Sequence, residues 1–380
     1  MNIFEQGPIR PPSEAKSLLI RVTRNCPWNK CAFCHTYRGA AFSLRTVEEV
    51  KKDVAAIVNV AGKIKERSRN MGFGGAINEA VVEALHKDPT SRNTDCSVAA
   101  WLYFGGKSVF LQDADSLIAK TDDLIKILQV IKGQFPQIDR ITSYCRSKTA
   151  CRKSIEDFRR LREAGLSRIH VGFESGSDSV LQEVRKGVTA REHIEGGRRI
   201  RESGISLCLY VMPGLGGVSL SRDHAVETAR VLNEINPQFI RLRSLAVKKG
   251  TVLHDLMEQG TFTPLDDDDV IREIRLLIDR LEGINSTVVS DHILNLLEEL
   301  EGTFPKDKGK LLNCIDRYLS LSDDDRRIYR LGRRKGLYRS LDDLSDRGAY
   351  KVLKDLVDSY GRRGWEHFDK DIQKHSGQFI

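Results

Sequence analysis

"KSVFLQDADSLIAKTDDLIKILQVIKGQF" (residues 107–135) reads as a strand running into an acidic turn, "DAD" at 113–115, and then as a helix capped by Thr121. The unit recurs downstream. "IDRITSYCR" (138–146) is a strand, "SIEDFRRLREAG" (154–165) a helix ended by Gly165, and "SRIHVGFESGS" (167–177) a strand. "SVLQEVRKG" (179–187) and "AREHIEGGRRIRESG" (190–204) are helical. "ISLCLYVMPGLGG" (205–217) is a strand, "SRDHAVETARVLNEIN" (221–236) a helix and "FIRLRSLAV" (239–247) a strand. Upstream, "SLLIRVTR" (17–24) is the first strand, and "SLRTVEEVKKDVAAIVNVAG" (43–62) has helical spacing with Thr46 as N-cap. Residues 64–100 are polar, broken by "MGFGG", and carry no clear period.

Strands alternating with helices of about ten to fifteen residues imply βα units and a parallel sheet. In such sheets ligands gather at the carboxyl ends of the strands. The polar and glycine-rich text stands there: "DAD" at 113–115, "ESGS" at 174–177, "MPGLGG" at 212–217 and "KKGT" at 248–251. Beyond residue 305 the chain is charged and helical, and 306–380 reads as a C-terminal extension. Its basic run "DDDRRIYRLGRRKGLYRS" (323–340) reads as a solvated helical face rather than an RNA contact.

The chain has 380 residues, 40% hydrophobic and 30% charged, with a net charge of +8. That balance fits a globular protein and permits an anionic substrate; nucleic acid is permitted as a partner without being favoured. The first twenty residues show no signal-peptide pattern, and no stretch approaches the roughly 18–20 apolar residues of a membrane helix. The expectation is a cytoplasmic protein without membrane contact. Eight cysteines in such a chain point to metal ligands or buried core residues before disulfides. Cys96, Cys145, Cys151, Cys208 and Cys314 are scattered and read as small hydrophobes.

The other three are crowded into "NCPWNKCAFCHTYRG" (25–39), at Cys26, Cys31 and Cys34, in a loop that follows the first strand and opens on the same rim. A tetrahedral metal wants four ligands. His35 abuts Cys34 too closely to serve as its partner, so either a distant cysteine closes a zinc site or three thiolates hold a cubane iron–sulfur cluster with one iron open.

A cysteine loop after a first strand, followed by further βα units, resembles the radical S-adenosylmethionine (radical SAM) superfamily over roughly residues 17–255. "VGFESGSDSVLQEVRKGVT", "YVMPGLGG" and "KKGTVLHDL" are similar to segments of the branch with the anaerobic coproporphyrinogen oxidases and methylthiotransferases. One departure stands out: four residues separate Cys26 from Cys31 where the family has three, a loop insertion that costs little. The resemblance implies an incomplete parallel (β/α)6-type TIM barrel over 1–305, with the cluster loop at 26–34. It also implies a 4Fe-4S cluster on Cys26, Cys31 and Cys34, and S-adenosylmethionine (SAM) chelated to the open iron. An electron from a low-potential donor such as flavodoxin or ferredoxin would then cleave SAM, and a 5′-deoxyadenosyl radical would abstract hydrogen from an unidentified substrate.

The same resemblance suggests cofactor contacts. Phe33 stands before the last cysteine, and Gln112, Asp113 and Asp115 replace the family's amine-binding turn, with a helix cap as the alternative. Glu174 and Ser175 end a strand, and Lys186 stands where relatives often carry an arginine for the SAM carboxylate. Tyr210 takes the place of a ribose-binding aspartate, and Met212 and Gly214 open a turn beside the adenine. Arg241 and Arg243 share one side of a strand and suit a carboxylate or phosphate substrate, or an ion pair with a helix. Asp291 and His292 suit proton transfer, or a helix cap begun by Ser290 or Asp291. Two other functions compete: radical-based methyl or methylthio transfer, and a non-catalytic metal-binding module that contacts RNA.

Overall fold

The parallel strands implied by the βα period are present in the computed structural model, which describes residues 4–376. They fall into two units. One comprises the chain up to Asn29 with Thr36–Val171 and Glu195–Leu207; the other comprises Lys30–His35, Gly172–Ile194 and the chain from Cys208 onward.

In the first unit the strands are β1 (Leu18–Arg21), β2 (Thr23–Arg24), β3 (Ser43–Leu44), β4 (Ser108–Gln112), β5 (Arg140–Cys145) and β6 (Leu166–Glu174), whose last residues enter the second unit. β1 pairs with β4, β4 with β5 and β5 with β6, all parallel, while β2 and β3 form a short antiparallel ladder. Leu18, Ile20, Val109, Phe110, Leu111 and Ile141 are all buried, on both faces of the sheet, as a helix-covered parallel sheet requires. Thr46 caps the helix Val47–Asn70 through a reciprocal capping box with Glu49. That helix runs past residue 64, and Glu79–Lys87 and Asn93–Tyr103 are also helical. The period was hidden because the apolar stripe there thins to single residues per turn, such as Val60 and Ile64. Thr121 opens its helix instead of capping it; Lys120 holds the cap position, and the Thr121 hydroxyl accepts a hydrogen bond from Lys153 at 3.0 Å.

The second unit carries β7 (Ser206–Val211, entering from the first unit), β8 (Phe239–Leu242), β9 (Thr287–Val289) and β10 (Gly302–Thr303). β7–β8 and β8–β9 are parallel and β9–β10 is antiparallel. Ala32, Val180, Val184, Met212, Leu215, Leu253 and Phe262 form a buried apolar cluster in this unit. The fold is α/β with mainly parallel strands and flanking helices, and among the described residues the strands close no barrel.

The described residues after 305 include the α-helices Lys308–Leu319, Asp323–Arg334, Arg347–Arg363 and Trp365–Ser376, within the same unit as β7–β10. The first two are anchored to the helix Asp267–Arg280. Arg334 and Arg330 reach Asp267 at 2.6 and 3.2 Å, Tyr318 donates to Asp268 at 2.5 Å, and Arg275 pairs with Asp316 at 2.6 Å. The basic run is therefore no solvated face, because Arg330, Arg333 and Arg334 are buried. Arg333 donates to the carbonyls of Leu296, Asn295 and Tyr338 at 2.9–3.0 Å, satisfying backbone acceptors of an irregular segment.

Replacing Asp267 by alanine would leave two buried guanidiniums without their shared carboxylate. The expected loss is about 3–5 kcal/mol, read as a lowered urea midpoint. Burial alone would raise this carboxyl, but Arg334 and Arg330 outweigh it and hold it below the ordinary value of 3.8. Its contribution is complete above that ordinary value and disappears as pH falls through the lower folded value, so the difference between wild type and Asp267→Ala should narrow there.

Candidate functional site

Cys26 lies in the first unit, just after β2, where its sulfur accepts the Asn29 amide at 3.5 Å. Asn29 adopts a left-handed backbone (φ 48°) that asparagine tolerates, and its side chain donates to the carbonyls of Tyr37 and Ala40 at 2.5 and 3.1 Å. The long interval between the first two cysteines is thus an ordered turn. Cys31 and Cys34 lie in the second unit. Between them, the Ala32 amide donates to the Val184 carbonyl at 2.8 Å, and the Ala32 carbonyl accepts the Leu253 amide at 2.9 Å. Ala32 is buried in the apolar cluster, Phe33 packs against that cluster, and both thiols remain partly accessible. All three thiols are free of disulfides. Among the described residues, no group of three or more His, Cys, Asp or Glu side chains could hold a single metal ion. A cubane makes a different demand, one thiolate per iron.

At the carboxyl end of β6, Glu174 has φ 66°, and its carbonyl accepts the Met212 amide at 2.9 Å. The turn directs the Glu174 carboxylate to Lys186, 2.9 Å away, with both side chains close to nine-tenths buried. Lys186 also lies 5.7 Å from the centre of the Phe33 ring. Gly172 makes room for the pair: a Cβ there would stand 2.7 Å from Glu174 Oε1 and 3.2 Å from Lys186 Nζ. Glu174, Lys186 and Phe33 are therefore together.

Ser175 is not free to join them. Its hydroxyl contacts His224 Nδ1 at 2.8 Å and accepts the Ser177 amide at 3.0 Å. His224 Nε2 faces the Met212 carbonyl at 3.0 Å, so that nitrogen carries the proton and Nδ1 accepts from Ser175. Glu273 completes this support, accepting the Gly214 amide at 2.7 Å and the Ser221 hydroxyl at 2.6 Å. His224 and Glu273 escaped the sequence reading. Their one signal is a polar residue on the buried side of each helix, a position that demands hydrogen-bond partners. Tyr210 is buried in β7 opposite Arg241 of β8. Gly214 borders a cavity of about 250 Å³ lined also by Leu245, Val247, Leu265 and Arg334.

The acidic turn after β4 serves the interior of the first unit. Gln112 receives the Gly7 amide at 2.8 Å and donates to the carbonyls of Gly7 and Ile9. Asp113 is buried, pairs with Arg21 at 2.8 Å and accepts the Tyr37 hydroxyl. Asp115, fully buried, accepts from Thr149 at 2.5 Å and from the Arg146 amide at 3.2 Å, and burial pushes its carboxyl up to about 6. These three were expected to receive an ammonium; each is already engaged in holding the chain.

In the second unit Arg241 pairs with Asp291 at 2.8 Å. Residues 291–295 form bends and turns, so neither Ser290 nor Asp291 caps a helix, and the partner of Arg241 sits in a loop. His292 is buried; desolvation first, then Arg243 and Arg241, push its imidazole down to about 4. Burial together with Lys248 and Arg243 also lowers His35.

Two outcomes follow from these contacts. Gly172→Ala should cost about 1–3 kcal/mol through overpacking, seen as a lower melting temperature. Because His292 is depressed from 6.5 to about 4, the unfolded chain binds the extra proton between those values, so stability is full above 6.5 and declines as pH falls toward 4. A His292→Gln variant should lose that slope in a pH series of unfolding midpoints.

The family model described as "Radical SAM superfamily" matches residues 98–230. No curated protein matches the chain in sequence. Among solved structures, the archaeal Elp3 of Methanocaldococcus infernus aligns at 13% identity and a TM-score of 0.40, covering 61% of this chain and 55% of that one. The cobalamin-dependent S-adenosylmethionine radical enzyme OxsB aligns at 14% identity and a TM-score of 0.46, with 95% and 53% covered. Coproporphyrinogen III oxidase from Escherichia coli aligns at 13% identity and a TM-score of 0.42, with 70% and 52% covered. This chain thus spans about half the length of each of the three.

Proposed function

We propose, from the match of the radical SAM superfamily model to residues 98–230, that the chain is an enzyme of reductive SAM chemistry acting on an unidentified substrate. The superfamily's cofactors are a 4Fe-4S cluster and SAM, and its enzymes need a reductant. When bound, the cluster supplies the electron that breaks a carbon–sulfur bond of SAM.

The residues present suit both cofactors. Cys26, Cys31 and Cys34 offer three soft thiols outside any disulfide, the donor set for three irons of a cubane. The observation that carries the reading is the Glu174–Lys186 pair beside Phe33, two residues from Cys31 along the chain. An ion pair poised this way is complementary to a zwitterion. Glu174 would receive the SAM ammonium and Lys186 the carboxylate, each ligand charge replacing the one lost when the pair opens. Phe33 and Met212 would exclude water, and Gly214 and Tyr210 complete the proposed contacts. Asp291 fixes Arg241, and His292, kept neutral with its Nδ1 accepting the Leu294 amide, would offer its Nε2–H as a donor to the substrate. The proposed reductant is a small low-potential carrier such as flavodoxin or ferredoxin, and the proposed location is the cytoplasm. Among the described residues, no helix is long and apolar enough to cross a membrane. An RNA-binding module is less well supported, since the arginines 330, 333 and 334 of its presumed contact are buried.

Anaerobic reconstitution should load about four irons per chain. Cys26→Ala, Cys31→Ala and Cys34→Ala should each abolish the cluster, while Cys96→Ala and Cys314→Ala should not. A complete cluster in Cys31→Ala, or stoichiometric zinc in the wild type, would refute the ligand assignment. On the loaded protein, Glu174→Ala and Lys186→Ala should weaken SAM about ten- to a hundred-fold with iron unchanged, and Lys186→Arg should be milder. Unchanged SAM affinity in both alanine variants would place the pocket elsewhere.

A further inference from the structure

The cavity of about 250 Å³ bordered by Gly214 lies wholly within the second unit, and helices after residue 305 build one of its walls. Phe33, Glu174, Lys186 and Met212 do not line it, so it is a compartment apart from the cofactor contacts proposed above. Leu245 and Val247 come from the segment after β8, Leu265 and Val270 flank the start of the helix Asp267–Arg280, and Ile372 belongs to the helix Trp365–Ser376. The space exceeds the roughly 150 Å³ of an engineered apolar cavity that takes up benzene.

Charged groups of both signs share the lining: Arg330, Arg334, Asp266, Asp267 and Asp369. Most of their hydrogen-bonding capacity is engaged. Asp267 accepts from Arg334 at 2.6 Å with one oxygen and from Arg330 Nε at 3.2 Å with the other. Arg334 also donates to the Leu294 carbonyl at 2.9 Å. Two groups keep capacity to spare. Arg330, nine-tenths buried, reaches Asp369 with Nη2 only at 3.4 Å, longer than an ordinary N–H···O bond. Its Nη1 makes no hydrogen bond among the described residues. Asp266 accepts the Asp269 amide through Oδ1 at 2.7 Å and forms no ion pair among the described residues. Because Asp266 adjoins Asp267 in the chain, and Asp267 touches Arg330, the two open groups lie within the span of one small ligand.

Their signs restrict what that ligand can be. The lining carries three carboxylates and two guanidiniums, so a bare anion would meet net repulsion. A bare cation would leave Arg330 Nη1 without an acceptor. A zwitterion with an apolar body answers both groups and the apolar wall together. We infer that the cavity binds an α-amino acid with an apolar side chain. Its carboxylate meets Arg330 Nη1, its ammonium meets Asp266, and its side chain packs among Leu245, Val247, Leu265, Val270 and Ile372. The C-terminal extension then has a task of its own: it supplies Arg330 and, with Ile372, part of the apolar wall.

The test titrates full-length reconstituted protein calorimetrically with L-phenylalanine and L-leucine. Phenethylamine and 3-phenylpropionate serve as the amine and acid halves of the first. Saturable binding of an amino acid is expected, with each half weaker by about ten-fold or more. Asp266→Asn keeps a capping side chain but removes its charge, and should weaken the amino acid about ten-fold without weakening the acid half. Val270→Phe should fill the space and abolish binding. A urea midpoint on each variant checks folding, and if Val270→Phe does not fold, Asp266→Asn decides. No saturable heat with either amino acid, a half that binds as tightly as the whole, or wild-type affinity in Asp266→Asn would overturn the site. Cys34→Ala should bind the amino acid like wild type; loss of binding there would move the ligand to the cysteine loop and overturn the inference. Amino-acid binding by protein that takes up no iron would uphold this site and count against the radical reading alone.

Discussion

Two main-chain hydrogen bonds at Ala32 fix the chemistry-bearing part of the second unit. The residue lies between Cys31 and Phe33, its amide held by Val184 and its carbonyl by Leu253. Val184 ends the short helix after β6, and Leu253 belongs to the helix that follows the strand-end loop of Lys248. The Ala32 methyl is sunk into the cluster of Val180, Val184, Met212, Leu215, Leu253 and Phe262. A loop that carries thiols must stay open to its ligand, so the thiols themselves cannot be the groups buried to hold it. Anchoring the loop at Ala32, with Phe33 packed beside it, leaves Cys31 and Cys34 to project from a fixed frame.

A second layer holds the acceptor side. The carbonyl of Glu174 is tied to Met212, the carbonyl of Met212 faces His224, and His224 reaches Ser175, the residue after Glu174. This closed circuit keeps Glu174 in a left-handed conformation that a non-glycine residue rarely adopts. Glu273 extends the circuit to Gly214 at the next strand end. The circuit is buried and polar, so each member needs its partners, and loss of one leaves the rest unsatisfied in a poorly solvating interior. The pair of Glu174 and Lys186 rests on this network.

Much of this was legible in the sequence because the physics is local. The alternation of strands and helices, the Thr46 cap, and the crowding of Cys26, Cys31 and Cys34 are each written within a few residues. Glu174 and Lys186, twelve apart, are joined by one turn and one short helix, and their pairing lay within reach of the same reading. Long-range partners were not. Asp113 and Asp115 look like free carboxylates until Arg21, Tyr37 and Thr149 are brought to them from distant elements. The basic run at 323–340 looks solvated until Asp267 and the carbonyls of 294–296 arrive to meet it. Charge alone does not say whether a group faces water or a partner, and only the fold supplies the partner.

The central claim is that this chain cleaves SAM reductively, and analysis of the nucleoside released from SAM tests it most directly. Anaerobically reconstituted protein, reduced with dithionite and given SAM alone, should slowly yield 5′-deoxyadenosine and methionine, with the yield abolished in Cys34→Ala. Release of methylthioadenosine in their place, or 5′-deoxyadenosine formed equally by Cys34→Ala, would contradict it.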